Sequence, residues 1–222
     1  MITLDDVEVQ VGNHRNRKVI LEPTTLRFPD QTGLALIGRN GAGQSTLLRV
    51  ISGSLEPSRG RILSDESISW PMGFAGGFHP ALTGAQNAQF IARLYGKDVR
   101  EFVDFVQGFS ELGKAYHQPV DVYSQGMKAR LAFAASIGVE FDCYLVDEII
   151  GVGDAAFRRK CQIAFRERLR GSRLIMVSHN PKALLEFCDA ALVIENGRLE
   201  FHRTVEAALE AHAIHLMEPS HE

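Results

Sequence analysis

The sequence lacks the features that mark secreted, membrane-spanning or disulfide-linked chains. It has three cysteines in 222 residues, an odd number that favours buried free thiols in a reducing compartment. No run of about 18 apolar residues occurs, and the best candidate, 132–146, is interrupted by Glu140 and Asp142. The first residues contain neither the basic nor the apolar segment of a secretion signal. We therefore expect a cytoplasmic chain that reaches a membrane only through a partner.

An excess of charge of one sign is also missing. The 24 basic and 27 acidic residues give a net charge of −3, and both signs are mixed along the chain. We therefore expect no binding of nucleic acid. One small basic cluster, formed by His14, Arg15, Arg17 and Lys18, fits a solvated hairpin turn at least as well as a phosphate contact. The length suits a single domain with room for an inserted subdomain.

What the chain does contain is a glycine-rich turn between an apolar strand and a helix start. Glycines let successive backbone N–H groups converge on one anion, and the helix directs the positive end of its dipole to the same point. The pattern predicts a phosphate-binding loop, with Ser45 placed to hold Mg²⁺. The loop comprises Gly38, Arg39, Asn40, Gly41, Ala42, Gly43, Gln44, Ser45 and Thr46. A plain connecting turn is the alternative interpretation.

Gln44 departs from the phosphate-loop pattern G-x-x-x-x-G-K-[ST], which has lysine at this position. The glutamine amide donates hydrogen bonds but carries no charge. Charge-assisted hydrogen bonds contribute about 1.5–3 kcal/mol, so we expect nucleotide affinity roughly ten- to a hundredfold lower than with lysine. The rate of hydrolysis should fall more than the affinity, because the missing charge faces phosphate oxygens that gain negative charge in the reaction.

The periodicity of the remaining chain predicts an α/β core with a helical insertion. Strands are expected at 2–11, 18–28, 33–37, 61–63, 143–146, 174–177, 191–194 and 198–201. Helices are expected from the glycine loop to about 51, at 84–95, 99–110, 124–139 and 155–169, and after Thr204. Residues 70–83 resemble a loop. The helix at 84–95 has Phe90, Ile91 and Leu94 on one face.

Two apolar strands end in side chains that suit phosphate chemistry. Asp147 and Glu148 follow the strand at 143–146, and His179 comes shortly after the strand at 174–177. Ligands of open α/β sheets bind beyond the carboxyl ends of the strands. Asp147 is therefore a candidate Mg²⁺ ligand, Glu148 a candidate general base and His179 a candidate γ-phosphate contact. The alternatives are that Asp147 caps the next helix, that Glu148 is solvated and that His179 is a core histidine.

A second anion-binding helix end is predicted at Ser124, Gln125 and Gly126. The glycine loop already serves the phosphates within its own chain, so a second site suggests that nucleotide is shared between two subunits. A simple N-cap is the alternative.

Taken in order, these motifs resemble the nucleotide-binding subunit of an ABC transporter. The resemblance covers nearly the whole chain: the P-loop at 38–46, a helical insertion, a signature at 124–128, the acidic strand end at 143–148 and a switch histidine at 179. The signature reads Ser-Gln-Gly-Met-Lys, where the common form is Leu-Ser-Gly-Gly-Gln. With the stretches 77–84 and 146–154, this variant resembles the subfamily that exports capsular polysaccharide, O-antigen or teichoic acid.

The resemblance implies one nucleotide-binding domain over 1–222 with a P-loop NTPase core, a mostly parallel sheet flanked by helices. The core covers approximately 1–70 and 140–222, an inserted helical subdomain 71–139, and an antiparallel β layer forms the N-terminal part. The resemblance further implies ATP and Mg²⁺ as cofactors and an ATPase at the cytoplasmic face of the inner membrane. Two copies would sandwich ATP between one P-loop and the other signature, with Asp154 at their interface. The implied partners are an integral membrane permease, docked near 70–95, and further envelope export proteins.

Several features of the sequence depart from that family. No glutamine occurs at the expected Q-loop, 72–77, and no aromatic residue for adenine stacking occurs among Val9, Val11 and His14. Gln44 is compatible with natural variation and with a deliberate change. Three functions therefore stay open: a polysaccharide exporter ATPase with impaired hydrolysis, a non-hydrolysing gating subunit, and a soluble ABC ATPase of DNA repair or translation.

Overall fold

The computed structural model describes residues 1–12, 16–30, 33–72, 77–148 and 153–217. The strands are β1 (Ile2–Val11), β2 (Lys18–Arg27), β3 (Gly33–Gly38), β4 (Arg59–Ser64), β5 (Ile68–Met72), β6 (Cys143–Asp147), β7 (Arg173–Val177), β8 (Ala190–Glu195) and β9 (Arg198–His202). The helices are α1 (Gln44–Ile51), α2 (Gly84–Leu94), α3 (Val99–Ser110), α4 (Gln125–Gly138), α5 (Ala155–Arg168), α6 (Pro181–Phe187) and α7 (Val205–Met217). The predicted α/β fold class is confirmed.

The chain divides into two compact units. The first comprises Met1–Pro71, Phe141–Glu148 and Ser172–Glu222, and the second comprises Met72–Glu140 and Ile149–Gly171. Helix α5 therefore belongs to the second unit, together with α2, α3 and α4.

A six-stranded sheet of order β5-β6-β7-β3-β8-β9 forms the centre of the first unit. Strands β6, β7, β3 and β8 run parallel, and β9 pairs antiparallel with β8. All six residues of β3 are buried, as expected of a central parallel strand covered on both faces. Asn196 and Gly197 have positive φ angles of 48° and 77°, and they form the predicted tight turn of the β8–β9 hairpin.

The predicted antiparallel layer is present as a second sheet of order β2-β1-β4. Alternate residues of β1 point inward, so Ile2, Leu4 and Val9 are almost fully buried. They join one hydrophobic cluster with Leu47 and Leu48 of α1. Helix α1, which follows the glycine loop, is therefore fixed by packing from both sheets.

Aromatic side chains hold the second unit together. The Phe109 ring lies 5.9 Å from that of Phe133 and 6.0 Å from that of Phe157, so α3, α4 and α5 share one core. At the start of α2, the Thr83 hydroxyl accepts a hydrogen bond from the N–H of Gln86. The Gln86 side chain accepts one from the Thr83 N–H in return. This reciprocal capping fixes where the helix begins.

Three features differ from the expectations. Trp70–Met72, expected as loop, belongs to strand β5, whose Pro71 is tolerated because the strand lies at the sheet edge. Helix α6, unrecognised in the sequence, begins with proline after the Asn180 cap. In α2, Ile91 is buried, whereas Phe90 and Leu94 are exposed, so the three do not share a buried face.

Candidate functional site

The predicted site residues of the first unit gather at one end of the six-stranded sheet. Strand β7 lies between β3 and β6, and all three are parallel. Their carboxyl ends therefore open on the same edge. The glycine loop leaves β3 at Gly38, Asp147 ends β6, and His179 comes two residues after the end of β7.

The glycine loop has the backbone conformation that its sequence predicts. Gly41 and Gly43 have φ angles of 79° and 103°, in the left-handed region that glycine adopts without strain. The N–H of Ala42 donates to the carbonyl of Arg39 over 2.9 Å and closes a turn inside the loop. A Cβ at Gly43 would overlap the side chain of Ile20, so β2 packs directly against the loop.

The N-terminus of α1 suits an anion better than it suits a protein side chain. Gly43 is its N-cap, and within the described chain no side chain caps this end and no acidic residue lies in its first turn. The first N–H groups of a helix have no intrahelical acceptor, and the helix dipole adds positive potential there. Helices α4 and α5 differ, since Ser124 and Asp154 cap them. Phosphate oxygens are the natural acceptors at α1.

Gln44 does not point freely out of the loop. Its side chain is buried, and its Nε2 donates to the carbonyl oxygen of Gly38 over 2.7 Å. The amide thus fastens the first turn of α1 to the end of β3. Ser45, the next residue, is exposed at the same helix end, while Thr46 is half-buried.

Two cations lie at the loop. The guanidinium of Arg39 pairs with Glu195 at the end of β8, Nε to Oε1 3.4 Å. The ammonium of Lys18, the first residue of β2, donates to the carbonyl of Gly41 over 2.5 Å. The sequence left both a solvated hairpin turn and a phosphate contact open for the basic cluster that contains Lys18, without placing this lysine beside Gly41. Only the fold brings β2 against the glycines.

Glu148 and His179 are in contact. Oε1 of Glu148 lies 3.0 Å from Nε2 of His179, and both side chains are more than half exposed. The N–H of Glu148 donates to the carbonyl of Val177 over 2.9 Å, which ties the residue to the neighbouring strand. Glu148 has a φ of 60°, an uncommon conformation for a residue other than glycine. Backbone strain of this kind concentrates at functional sites.

The contacts exclude two alternative interpretations of these residues. Asp147 does not cap the following helix, because Asp154 is the N-cap of α5. His179 is not a core histidine, because 60% of its side chain is exposed. The solvated interpretation of Glu148 holds in part, since its carboxylate is half exposed and also bonded to His179.

In the second unit the signature residues begin α4. Ser124 accepts a hydrogen bond from the N–H of Met127 over 3.3 Å, which confirms the predicted N-cap. Gln125 and Gly126 form the exposed start of the helix.

Asp154 is held by two partners within the same unit. It accepts from the N–H of Phe157 over 2.9 Å and from Nη2 of Arg130 over 2.8 Å. The backbone hydrogen bond, followed by the charge of Arg130, lowers the pKa of Asp154 below its usual value. Arg130 also stacks on the Phe157 ring, 4.3 Å from its centroid. Arg130 lies two residues after the signature at 124–128, and its partner, 24 residues later, was not evident from the sequence.

Some expectations fall on residues that are not described. Positions 73–76 of the expected Q-loop, residues 149–152 after the acidic pair, and His14 among the adenine-stacking candidates lie outside the described residues. Val9 is buried in the core of the first unit, so it is not available to stack on a base. None of the helices in the described part of the chain combines the length and the apolar character that crossing a bilayer requires.

Comparison with known proteins supports the same interpretation. The family model described as "ABC transporter" matches residues 21–151. The polysialic acid transport ATP-binding protein KpsT of Escherichia coli is 45% identical over 94% of this chain and 97% of its own. The capsule polysaccharide export ATP-binding protein CtrD of Neisseria meningitidis serogroup B is 41% identical over 95% of this chain and 97% of its own. The dimeric ATP-binding cassette MJ0796, solved in a post-hydrolysis state with ADP and Pi, has the same fold. Its TM-score is 0.73 at 17% identity, covering 92% of this chain and 99% of that one.

Proposed function

The chain belongs to the ABC transporter family of ATP-binding proteins, and on that premise we propose that it energises the export of a cell-surface polysaccharide. Relatives above 40% identity over almost the full length are named as capsule and polysialic acid transport proteins, which supports this substrate class. The sugar would pass through an integral membrane permease, so this chain need not contact it.

One observation carries the proposed ATPase chemistry. The glycine loop, the acidic pair after β6 and His179 after β7 open on the same edge of the sheet, on adjacent parallel strands. A triphosphate held by the N–H groups of the loop and of α1 would extend along this edge. The proposed phosphate-binding residues are Gly38, Arg39, Asn40, Gly41, Ala42, Gly43, Gln44, Ser45 and Thr46.

The residues that would hold Mg²⁺ fit that ion. Ser45 offers a hydroxyl and Asp147 a carboxylate, which are the hard oxygen ligands that Mg²⁺ prefers. When bound, the ion neutralises phosphate charge. Asp147 is partly exposed at the last position of β6, so the strand fixes its backbone at this edge of the sheet.

Glu148 is the proposed general base and His179 the residue that orients it. A carboxylate held beside the γ-phosphate accepts the proton of the attacking water. Nε2 of His179 lies 3.0 Å from Glu148 Oε1, and this contact would restrict that carboxylate to one direction. Both side chains are about half exposed, which leaves room for water and phosphate.

Two copies of the chain are the proposed working unit. Each copy would present Ser124, Gln125 and Gly126 at the start of α4 to the nucleotide bound by the other copy. Asp154 would lie at the interface between the copies, held in position by Arg130. The dimeric state of the MJ0796 cassette supports this arrangement.

The proposed partner is a membrane permease, which would hold the chain at the cytoplasmic face of the inner membrane. Further envelope export proteins would join the complex. The exposed side chains of Phe90 and Leu94, 56% and 63% accessible, give α2 an apolar face that suits the docking.

The second candidate function is a subunit that binds nucleotide and gates the permease without hydrolysing it. The neutral, buried amide of Gln44 favours this candidate, because it adds no charge at the phosphates. An ATPase assay of the parent beside Gln44→Lys tests both. Slow turnover in the parent and turnover at least about tenfold faster in Gln44→Lys support the impaired ATPase. No turnover in either, with ATP bound by both, supports the gate.

Co-purification tests the transport assignment. A permease subunit recovered with the tagged chain from membranes supports it, and recovery with nucleic acid instead would contradict it. The matched control is the double variant Phe90→Ser/Leu94→Ser, which should lose the permease but keep ATP binding.

A further inference from the structure

The first residues of strand β2 lie against the glycine loop at two points. Ile20 is 3% exposed and packs so closely on Gly43 that a Cβ there would overlap it. Lys18, two residues earlier, extends its ammonium to the carbonyl of Gly41, 2.5 Å away. The same ammonium is 3.8 Å from where a Cβ of Gly41 would lie. A buried isoleucine therefore anchors the strand that carries this lysine to the loop.

The charges around the loop make this lysine distinctive. Gln44 is neutral and its amide is bonded to Gly38, so it brings no positive charge. Arg39 is paired with the carboxylate of Glu195, which offsets its charge. Lys18 contacts a loop carbonyl, which is neutral, and this carbonyl occupies one of its three donors. Its charge is therefore not cancelled by that contact.

We propose that Lys18 supplies to the phosphates of a bound nucleotide the positive charge that Gln44 does not. This rests on the proposed function, in which the loop holds ATP. An ammonium is a compact charge on a flexible four-carbon stem, so it moves from a carbonyl to a nearby anion without a change in the backbone. It lies in contact with the loop, well within the Debye length of about 8 Å at physiological salt. The cation comes from β2 instead of from the first turn of α1.

A purely structural role for Lys18 makes a different prediction. If the lysine only fastened the loop through Gly41, a neutral donor of similar length would replace it. Lys18→Gln keeps a donor but removes the charge, and Lys18→Arg keeps the charge. Lys114, which is exposed in the second unit, provides the matched control Lys114→Gln.

The experiment is an equilibrium titration of the purified chain with ATP and Mg²⁺, which gives Kd without requiring turnover. We expect Lys18→Gln to raise Kd about tenfold, the effect of one charge-assisted hydrogen bond. Lys18→Arg should stay within about threefold of the parent, and Lys114→Gln should match it. The tenfold loss should shrink at high salt, because it comes from charge. In a Gln44→Lys background, Lys18→Gln should raise the Kd for ATP by less than about threefold, because the loop then has its own cation.

Other outcomes overturn the proposal. It is wrong if Lys18→Gln binds ATP as the parent does, or if Lys18→Arg is as weak as Lys18→Gln. It is also wrong if the parent fails to bind ATP while Gln44→Lys binds it, a result that leaves the proposed function intact. If neither chain binds ATP, the proposed function fails and this proposal with it. Circular dichroism of each variant verifies that the fold is retained, as expected for an exposed side chain.

Discussion

Glu148 and His179 form a contact of 3.0 Å between Oε1 and Nε2, although they are 31 positions apart in the chain. Each follows the end of a parallel strand, and β6 and β7 are neighbours in the sheet. The backbone of Glu148 adopts a φ of 60°, a left-handed conformation that costs about 1–2 kcal/mol in a residue other than glycine. The fold therefore maintains a strained residue at the position where a general base is proposed.

Glu148→Gln tests that role. The amide cannot accept a proton, so we expect ATP hydrolysis in a Gln44→Lys background to fall by about 10²–10⁴-fold. ATP binding should change little, because Glu148 is proposed to act on water. Phosphate release and ATP titration measure the two quantities. Glu210→Gln, at an exposed position of α7, is the control and should keep full turnover.

His179→Ala tests the pair. If His179 acts by orienting Glu148, His179→Ala slows ATP hydrolysis in the Gln44→Lys background. The same substitution should slow hydrolysis little further when Glu148→Gln is already present. Single-turnover rates of the two single variants and the double variant measure the coupling. Additive losses would show that His179 acts independently of Glu148.

Much of this site could be predicted from the sequence, because local patterns encode it. The glycine loop, the acidic pair after an apolar strand and the Ser124 cap each depend on a few adjacent residues. Lys18 and Arg130 could not be placed, because their partners are 23 and 24 positions away. Strand β5 was missed because it is short, contains Pro71 and gains its pairing only at the sheet edge.

Gly43→Ala tests the close packing of β2 on the loop. Alanine at this positive φ is strained, and its Cβ would also overlap Ile20. We expect a loss of unfolding free energy of about 2–4 kcal/mol, more than strain alone, with loss of ATP binding. Gly53→Ala is the matched control, because Gly53 has a φ of 72° but nothing within 4 Å of a Cβ. Denaturant unfolding should show a loss of unfolding free energy of about 1–2 kcal/mol for the control, from backbone strain alone. Equal losses in the two variants would contradict the packing argument.

The three cysteines should be unreactive in the folded chain. Cys143, Cys161 and Cys188 are free and buried, which confirms the buried thiols expected from the sequence. Burial raises the pKa of each to about 12, because it penalises the charged thiolate. At pH 8 the thiolate fraction is therefore negligible, and alkylation with iodoacetamide should be slow until guanidinium unfolds the chain. Rapid labelling of the native protein at pH 8 would contradict this burial.

Arg130 is expected to stabilise the start of α5 through its planar guanidinium. It bonds to Asp154 and stacks on Phe157, and a lysine ammonium cannot do both in the same geometry. We expect Arg130→Ala to lower the Tm by about 2–4 °C and Arg130→Lys to restore less than half of that loss. The pKa of Asp154 is lowered in the folded state, so its contribution is present above the unfolded pKa and lost as the pH falls through the folded value.

The difference in Tm between parent and Arg130→Ala should therefore narrow as the pH falls below the ordinary pKa of an aspartate and through the lowered pKa of Asp154. The stacking on Phe157 does not depend on that proton, so part of the difference should survive in acid. Thermal unfolding at a series of pH values separates the stacking from the two carboxylate pairs of Arg130, which are with Asp154 and Glu111. Lys114→Ala, at an exposed site, should show no difference at any pH. A pH-independent gap for Arg130→Ala would contradict a contribution from the ion pair and would assign the stabilisation to the stacking of Arg130 on Phe157.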